Sequence, residues 1–343
     1  MYSENNHLNN QLKIWMIVLL LMIILIILVG GLTRLTDSGL SITTWELFIG
    51  SLPPLTTEKW SEYFTLYKTI PEFKEQNYDM SLSEFKVIFW WEWAHRQLGR
   101  LIGLTVLIPM IYFTFKNGFW ILKEYGIIFF LVCLQGFIGW YMVSSGLVDR
   151  VDVSHYRLSI HLFTAFIILS IVFWKFLQLT NLKENQTSIR LYLIKFFILL
   201  IFLQLIIGAF VSGMDAGKIY NSWPLMGSTY FPDDNSINNL FTITVFDDPS
   251  LTQFIHRNLA YLIFFLYLLI LINIYKNNLS SFYKIIKILG FVLFLQIILG
   301  IMTLLSGAQM FYSSMHQISS ILLVSSGIYL LYLNLNTNLQ PSN

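Results

Sequence analysis

The chain is 343 residues long, 56% hydrophobic and only 12% charged, with a net charge of +2. Soluble domains carry about 25% charged residues, so an ordinary soluble globule is excluded, and no basic block points to nucleic acid. A single cysteine, Cys133, excludes a disulfide framework or a cysteine-built zinc site within one chain. Its place inside an apolar run reads as core packing.

The amino end, residues 1–12, reads as a polar tail carrying His7 and lacks a signal-peptide cleavage pattern, so the first apolar run is expected to be a retained helix. Eight apolar segments follow, each long enough to span a bilayer as a helix. They are expected at about 14–32, 95–115, 126–144, 157–179, 191–211, 254–275, 283–305 and 313–333. Two connections are long: an outer loop over 33–94 after the first segment, and another over 212–253 after the fifth. A linker over 180–190 and a polar tail over 336–343 complete the chain.

Orientation follows from lysine and arginine in the short connections. Lys116, Lys123, Lys183, Arg190, Lys276, Lys284 and Lys287 lie in or beside connections that follow even-numbered segments. Only Arg150 and Arg157 lie in or beside the short ones on the opposite side. Both termini are therefore expected in the cytoplasm and both long loops outside.

The two halves of the chain match at fixed offsets. Gly30 and Gly208, Asp37 and Asp215, and Trp45 and Trp223 are each 178 residues apart. His95 and His256, Arg96 and Arg257, Gln135 and Gln296, and Gly139 and Gly300 are each 161 apart, and His161 and His316 are 155 apart. The offset changes only inside loops, where insertions are tolerated. Each half holds four segments, so both enter the membrane in the same direction, as parallel repeats do. The expected architecture is all-α and integral to the membrane. Its eight transmembrane helices form two four-helix bundles related by a pseudo-twofold axis, residues 13–179 and 191–335.

Four of the six histidines recur by this arithmetic: His95, His161, His256 and His316. All fall early in even-numbered segments, which places them near the outer face. An ionisable residue inside a membrane segment is a functional candidate by default. The competing explanation, an imidazole hydrogen-bonded to a neighbouring carbonyl, weakens when two histidines per half recur at one level. Two facing imidazoles in an apolar bundle suit the axial ligation of haem iron. Zinc wants three or four protein ligands, and neither pair is completed symmetrically by an acid or a thiol. Arg96 and Arg257 follow the first histidine of each pair and could meet haem propionates; snorkelling to lipid headgroups is the alternative. Arg34 is a further candidate, for a propionate or for Asp37. His155, in a short outer connection, has no counterpart and reads as incidental.

The halves differ at one telling place. Glu92 lies three residues before His95, on the same helix face, and its counterpart is Gln253. A carboxyl near a membrane site is either satisfied by a partner or kept for proton chemistry. This asymmetry assigns reaction to the first half and a permanent haem to the second.

The same residues carry a resemblance to the haem A synthase family. The match spans VGGLTRLTDSGLSITTW (29–45) with LPPL (52–55), EFKVIFWWEWAHRQLGR (84–100), LQGFIGWYMVSSGL (134–147) and YRLSIHL (156–162). It continues through SWPLM (222–226), QFIHRNLAY (253–261) and MHQISS (315–320). The resemblance implies oxidation of a ring methyl of haem O to a formyl group, giving haem A for terminal oxidases. It implies that His95 and His161 hold the substrate haem, that His256 and His316 ligate a haem b cofactor, and that Glu92 is the catalytic carboxylate. It also implies a bacterial inner-membrane location, with the haem O synthase and oxidase assembly proteins as partners beside the lipid bilayer. Some members carry a cysteine pair in the outer loops; this chain lacks it and so resembles the proteobacterial and mitochondrial type. A non-catalytic di-haem cytochrome and a haem transporter or chaperone stand as alternatives.

Overall fold

The computed structural model describes residues 2–46, 49–180 and 188–336. Most of the expected 180–190 linker, and nearly all of the tail expected over 336–343, lie outside the described residues. Among the described residues ten α-helices run in order: α1 (Tyr2–Leu35), α2 (Thr57–Tyr67), α3 (Pro71–Glu75), α4 (Leu82–Asn117), α5 (Trp120–Asp149), α6 (His155–Gln178), α7 (Leu191–Gly213), α8 (Pro249–Lys276), α9 (Tyr283–Leu305) and α10 (Met310–Leu335). Eight of these, all but α2 and α3, are long and apolar enough to cross a bilayer. The chain is thus an all-helical, multi-pass membrane protein.

Most boundaries extend the apolar runs by a turn or less, because a helix continues past the hydrocarbon edge until a cap stops it. The two largest differences are at the starts of α1 and α4. Helix α1 begins within the polar amino end and buries Leu12 and Trp15. Helix α4 begins at Leu82, thirteen residues before the expected start. Ser81 caps it: its side chain accepts from the Glu84 N–H while Glu84 reaches back to the Ser81 N–H, a reciprocal capping box. At 1.5 Å per residue its 36 residues run about 54 Å, well beyond a hydrocarbon core of about 30 Å. The surplus turns belong to the long loop after α1, which therefore contains helices α2 and α3 and the start of α4 rather than an open connection.

These loop helices have their own apolar core. Trp60, Phe64 and Tyr67 of α2 pack with Phe85, Ile88 and Phe89 of α4, joined by Leu40, Ile42, Ile70 and Val153. Phe64 stacks on Phe85 at 5.1 Å, and Trp60 meets Phe89 edge-on at 4.9 Å. Aromatic rings supply large buried area and a preferred geometry, so this lid is an ordered body.

The chain packs as two compact units, residues 18–168, and residues 1–17 with 169–343. In the first, α4 packs along α5; in the second, α7 packs on α8 and α10, and α9 on α10. Helix ends repeat between the units. Asp37 (φ 48°) and Asp215 (φ 53°) each lie two residues beyond a helix end with left-handed backbone. Aspartate tolerates that conformation better than most side chains, so the sequence match extends to the turn itself.

Cys133 is exposed rather than packed in a core. The apolar run around it belongs to α5, whose most apolar window is only 6% buried within protein. Periodicity alone cannot tell a lipid-facing run from a core run, since both are apolar.

Candidate functional site: two pairs of histidines on glycine

Each unit brings its two expected histidines onto one recurring arrangement. His95 of α4 lies against Gly30 of α1, where an added Cβ would come within 3.2 Å of the imidazole. His161 of α6 lies against Gly139 of α5, with the equivalent approach 2.9 Å. In the second unit His256 of α8 faces Gly208 of α7 at 3.0 Å, and His316 of α10 faces Gly300 of α9 at 2.9 Å. Four times, an imidazole occupies the space that any side chain larger than hydrogen would take. All four rings are half-buried.

The first pair can be measured directly. The His95 and His161 ring centres are 6.3 Å apart, with planes at 73°. A metal bound by two imidazoles at about 2 Å each, as nitrogen–metal bonds run, puts the ring centres about 6 Å apart. His256 and His316 are within electrostatic reach of each other, and His256 Nδ1 is buried without a hydrogen-bond partner. Among the described residues no group of three or more His, Cys, Asp and Glu could hold a metal. Two imidazoles leave most of a metal's coordination sphere open, and a porphyrin would supply four further ligands. The residues fit haem.

Glutamines complete the picture, and all obey one spacing. Gln135, Gln204 and Gln296 each lie four residues before the glycine of their helix, so amide and glycine share a face. Gln135 Nε2 lies 3.2 Å from His161 Nδ1 and donates to the His161 carbonyl at 2.9 Å. Gln204 Nε2 lies 3.3 Å from His256 Nε2 and donates to the His256 carbonyl at 3.0 Å. Gln296 contacts both ring nitrogens of His316: its side-chain Nε2 is 3.5 Å from Nε2, and its backbone carbonyl is 3.1 Å from Nδ1. Ser319 Oγ donates to Gln296 Oε1. The repeat pairs Gln135 with Gln296, but Gln204 escaped sequence reasoning. A lone amide in the apolar run of α7, four residues before a repeat-matched glycine, was the available signal.

Glu92 is 3% exposed, and its carboxylate turns toward the loop after α1. Oε2 accepts from Ser41 Oγ at 2.7 Å and from the Ile42 N–H at 2.7 Å. Oε1 accepts from Arg96 Nη2 at 2.6 Å and Nε at 3.1 Å. Arg96 also donates to the Ile42 and Thr44 carbonyls. Among the described residues no hydrogen bond joins Glu92 to His95. Gln253, 2% exposed, does the mirror task. Its Nε2 donates to the Ala216 and Ile219 carbonyls, both at 2.7 Å, while its Oε1 accepts from Arg257. Arg257 then holds the Tyr220, Ser222 and Leu225 carbonyls. Each long loop is thus latched to the helix carrying its unit's first histidine. The first loop offers donors and meets an acid; the second offers carbonyls and meets an amide. Arg34 donates to Asp37 at 2.7 Å.

An all-helical membrane protein with a pair of imidazoles seated on glycine in each of two units belongs to the class of polytopic haem-binding proteins. More particularly, the chain belongs to the cytochrome oxidase assembly protein family, whose profile matches residues 13–328. It is 50% identical over 338 residues to the haem A synthase of Pelagibacter ubique, covering 98% of this chain and 100% of that one. It is 40% identical to the haem A synthase of Rickettsia bellii, covering 94% of this chain and 98% of that one. The haem A synthase of Bartonella tribocorum is 39% identical, with 90% and 87% covered.

Proposed function

We propose that this protein is a haem A synthase, which oxidises a ring methyl of haem O through the alcohol to a formyl group. The observation that carries the reading is a single asymmetry. Two matched histidine sites differ in ionisable equipment at one helical position, Glu92 against Gln253. His95 and His161 hold the substrate haem, with Glu92 one helical turn before His95. His256 and His316 ligate a resident haem b, which supplies one-electron transfer when bound. The glycine facing each imidazole fixes the ring's distance from the helix behind it.

Glu92 is the catalytic carboxylate of the first unit: an acceptor for a proton from the methyl, or a negative charge opposing positive charge built up during oxidation. Arg96 holds Oε1 in place, and the Ser41–Ile42 loop covers the carboxylate from the outer side, so water is kept from it. Arg96 and Arg257, each of which also donates to loop carbonyls, close the loops over the sites and set the positive edge that propionates would meet. The location is the inner membrane, with the sites near the outer face and both termini in the cytoplasm. Haem O synthase and oxidase assembly proteins are its partners.

The test is extraction and mass analysis of haems from purified variants. Glu92→Gln retains haem b while haem A falls at least about a hundredfold, as expected when a positioned proton acceptor is lost. His256→Ala and His316→Ala remove the haem b spectrum, and His95→Ala leaves it. Undiminished haem A in Glu92→Gln overturns the assignment of that carboxylate. Loss of haem b in His95→Ala shows the two units to be exchanged in role.

A further inference from the structure

Three of the four histidines are held by a glutamine four residues before the facing glycine: QGFIG over 135–139, QLIIG over 204–208 and QIILG over 296–300. The fourth motif is IILVG over 26–30, which places Ile26 where the repeat offset of 178 aligns Gln204. Ile26 reaches toward α4, where Gly99 lies 3.8 Å from its Cδ1 by the position of an added Cβ. No amide is offered there, and among the described residues the His95 ring makes no hydrogen bond. His95 is thus the one ligand candidate without a partner on the neighbouring helix.

We infer that these glutamines are positioning residues that decide how firmly each imidazole retains iron, and that the isoleucine at 26 makes His95 the releasing ligand of its pair. A histidine that binds metal through one nitrogen carries a proton on the other. A partner accepting that proton fixes the ring's orientation and raises its basicity, and losing it typically weakens metal affinity about 10–100-fold. The amide oxygens of Gln135 and Gln204 are buried without a partner. They can take up that N–H once a metal engages the opposite nitrogen, and side-chain amides turn at small cost. In the second unit both imidazoles are supported, which suits a haem that stays. In the first unit only His161 is supported. Haem there remains anchored on one side and can be let go on the other, as a substrate-and-product site requires.

This inference rests on the functional reading above for which haem is resident, but its test needs no haem O and no oxidation. Full-length protein is loaded with haem B at both sites, and haem loss to excess apomyoglobin is followed by absorbance. The wild type gives a fast and a slow phase. Ile26→Gln slows the fast phase about tenfold or more and leaves the slow one. Gln204→Ile quickens the slow phase by a similar factor. Gln204→Glu, a stronger acceptor of the same shape, lowers the midpoint potential of the slowly lost haem, and it serves should Gln204→Ile fail to fold. Equal loss rates at both sites in the wild type overturn the inference, as does an unchanged fast phase in an Ile26→Gln protein that still binds two haems. A wild type with two unequal phases but no haem A formation would instead defeat the proposed function and leave the ligand asymmetry standing.

Discussion

At the scale of single residues, the glycines make the strongest demand. A Cβ at Gly208 would sit 3.0 Å from the Cε1 of His256, tighter than nearly all real contacts, and one at Gly300 would sit 2.9 Å from the Cε1 of His316, closer than real side chains approach. Overpacking of this kind costs about 1–3 kcal/mol where neighbours cannot yield. Under the proposed function the neighbour is a ring whose placement to within fractions of an ångström would set ligation. Gly300→Ala and Gly208→Ala are expected to lower haem b content severalfold. Gly103→Ala, at a helical glycine with open space around it, leaves haem content unchanged. Pyridine haemochrome assay per mole of protein decides, and full haem content in Gly300→Ala would refute the tight fit. The repeat arithmetic exposed Gly30, Gly139, Gly208 and Gly300 as matched positions. It could not say what each faced, because that depends on which helices become neighbours.

At the scale of elements, the α2–α3 lid of the first unit is the part least legible in the sequence. The apolar spans announce themselves by length. Residues 82–94 do not, since Glu84, Lys86 and Glu92 interrupt the apolar pattern and the cluster with α2 forms only through tertiary contact. The Glu92 latch was hidden for the same reason: spacing put Glu92 and His95 on one face, whereas loop donors at Ser41 and Ile42 claim the carboxylate. The lid also carries a buried acid of its own. Glu72 of α3 is 3% exposed and accepts from Tyr67 Oη at 3.0 Å, while Asn77 donates to that phenol at 2.8 Å. Burial, opposed by the Tyr67 hydrogen bond and reinforced by the nearby Glu92, Asp152 and Asp37 carboxylates, pushes its carboxyl up to about 8. The folded lid therefore holds a proton that the unfolded chain would release. That stability is complete below about pH 4.5 and is lost as pH rises toward about 8. Hydrogen exchange over residues 57–80, corrected for its intrinsic pH dependence, is expected to show protection falling across that window, by at most about tenfold per pH unit, the limit for one proton. Glu72→Gln flattens the profile. A flat profile in the unaltered protein would mean that Glu72 is ionised throughout.

At the scale of the whole molecule, orientation joins the spans to the chemistry. Eight spans with basic residues gathered in the short connections after α4, α6 and α8 lead us to propose that both termini are cytoplasmic. On that proposal all four histidines would lie toward the outer side, because α4, α6, α8 and α10 each carry theirs nearer the helix start. Each half contributes four crossings, so the halves are expected to run in the same direction. The prediction is made on a protein whose native thiol is removed by Cys133→Ser. Asp152→Cys, between α5 and α6, reacts with a membrane-impermeant maleimide in intact cells. Asn117→Cys, at the end of α4, reacts only after the membrane is opened. Labelling in the reverse order would place the histidines near the inner face and the lid in the cytoplasm. The chain would then draw substrate haem from the cytoplasmic leaflet side, and the α2–α3 lid, instead of shielding the site from the outer aqueous phase, would stand between it and the cell interior.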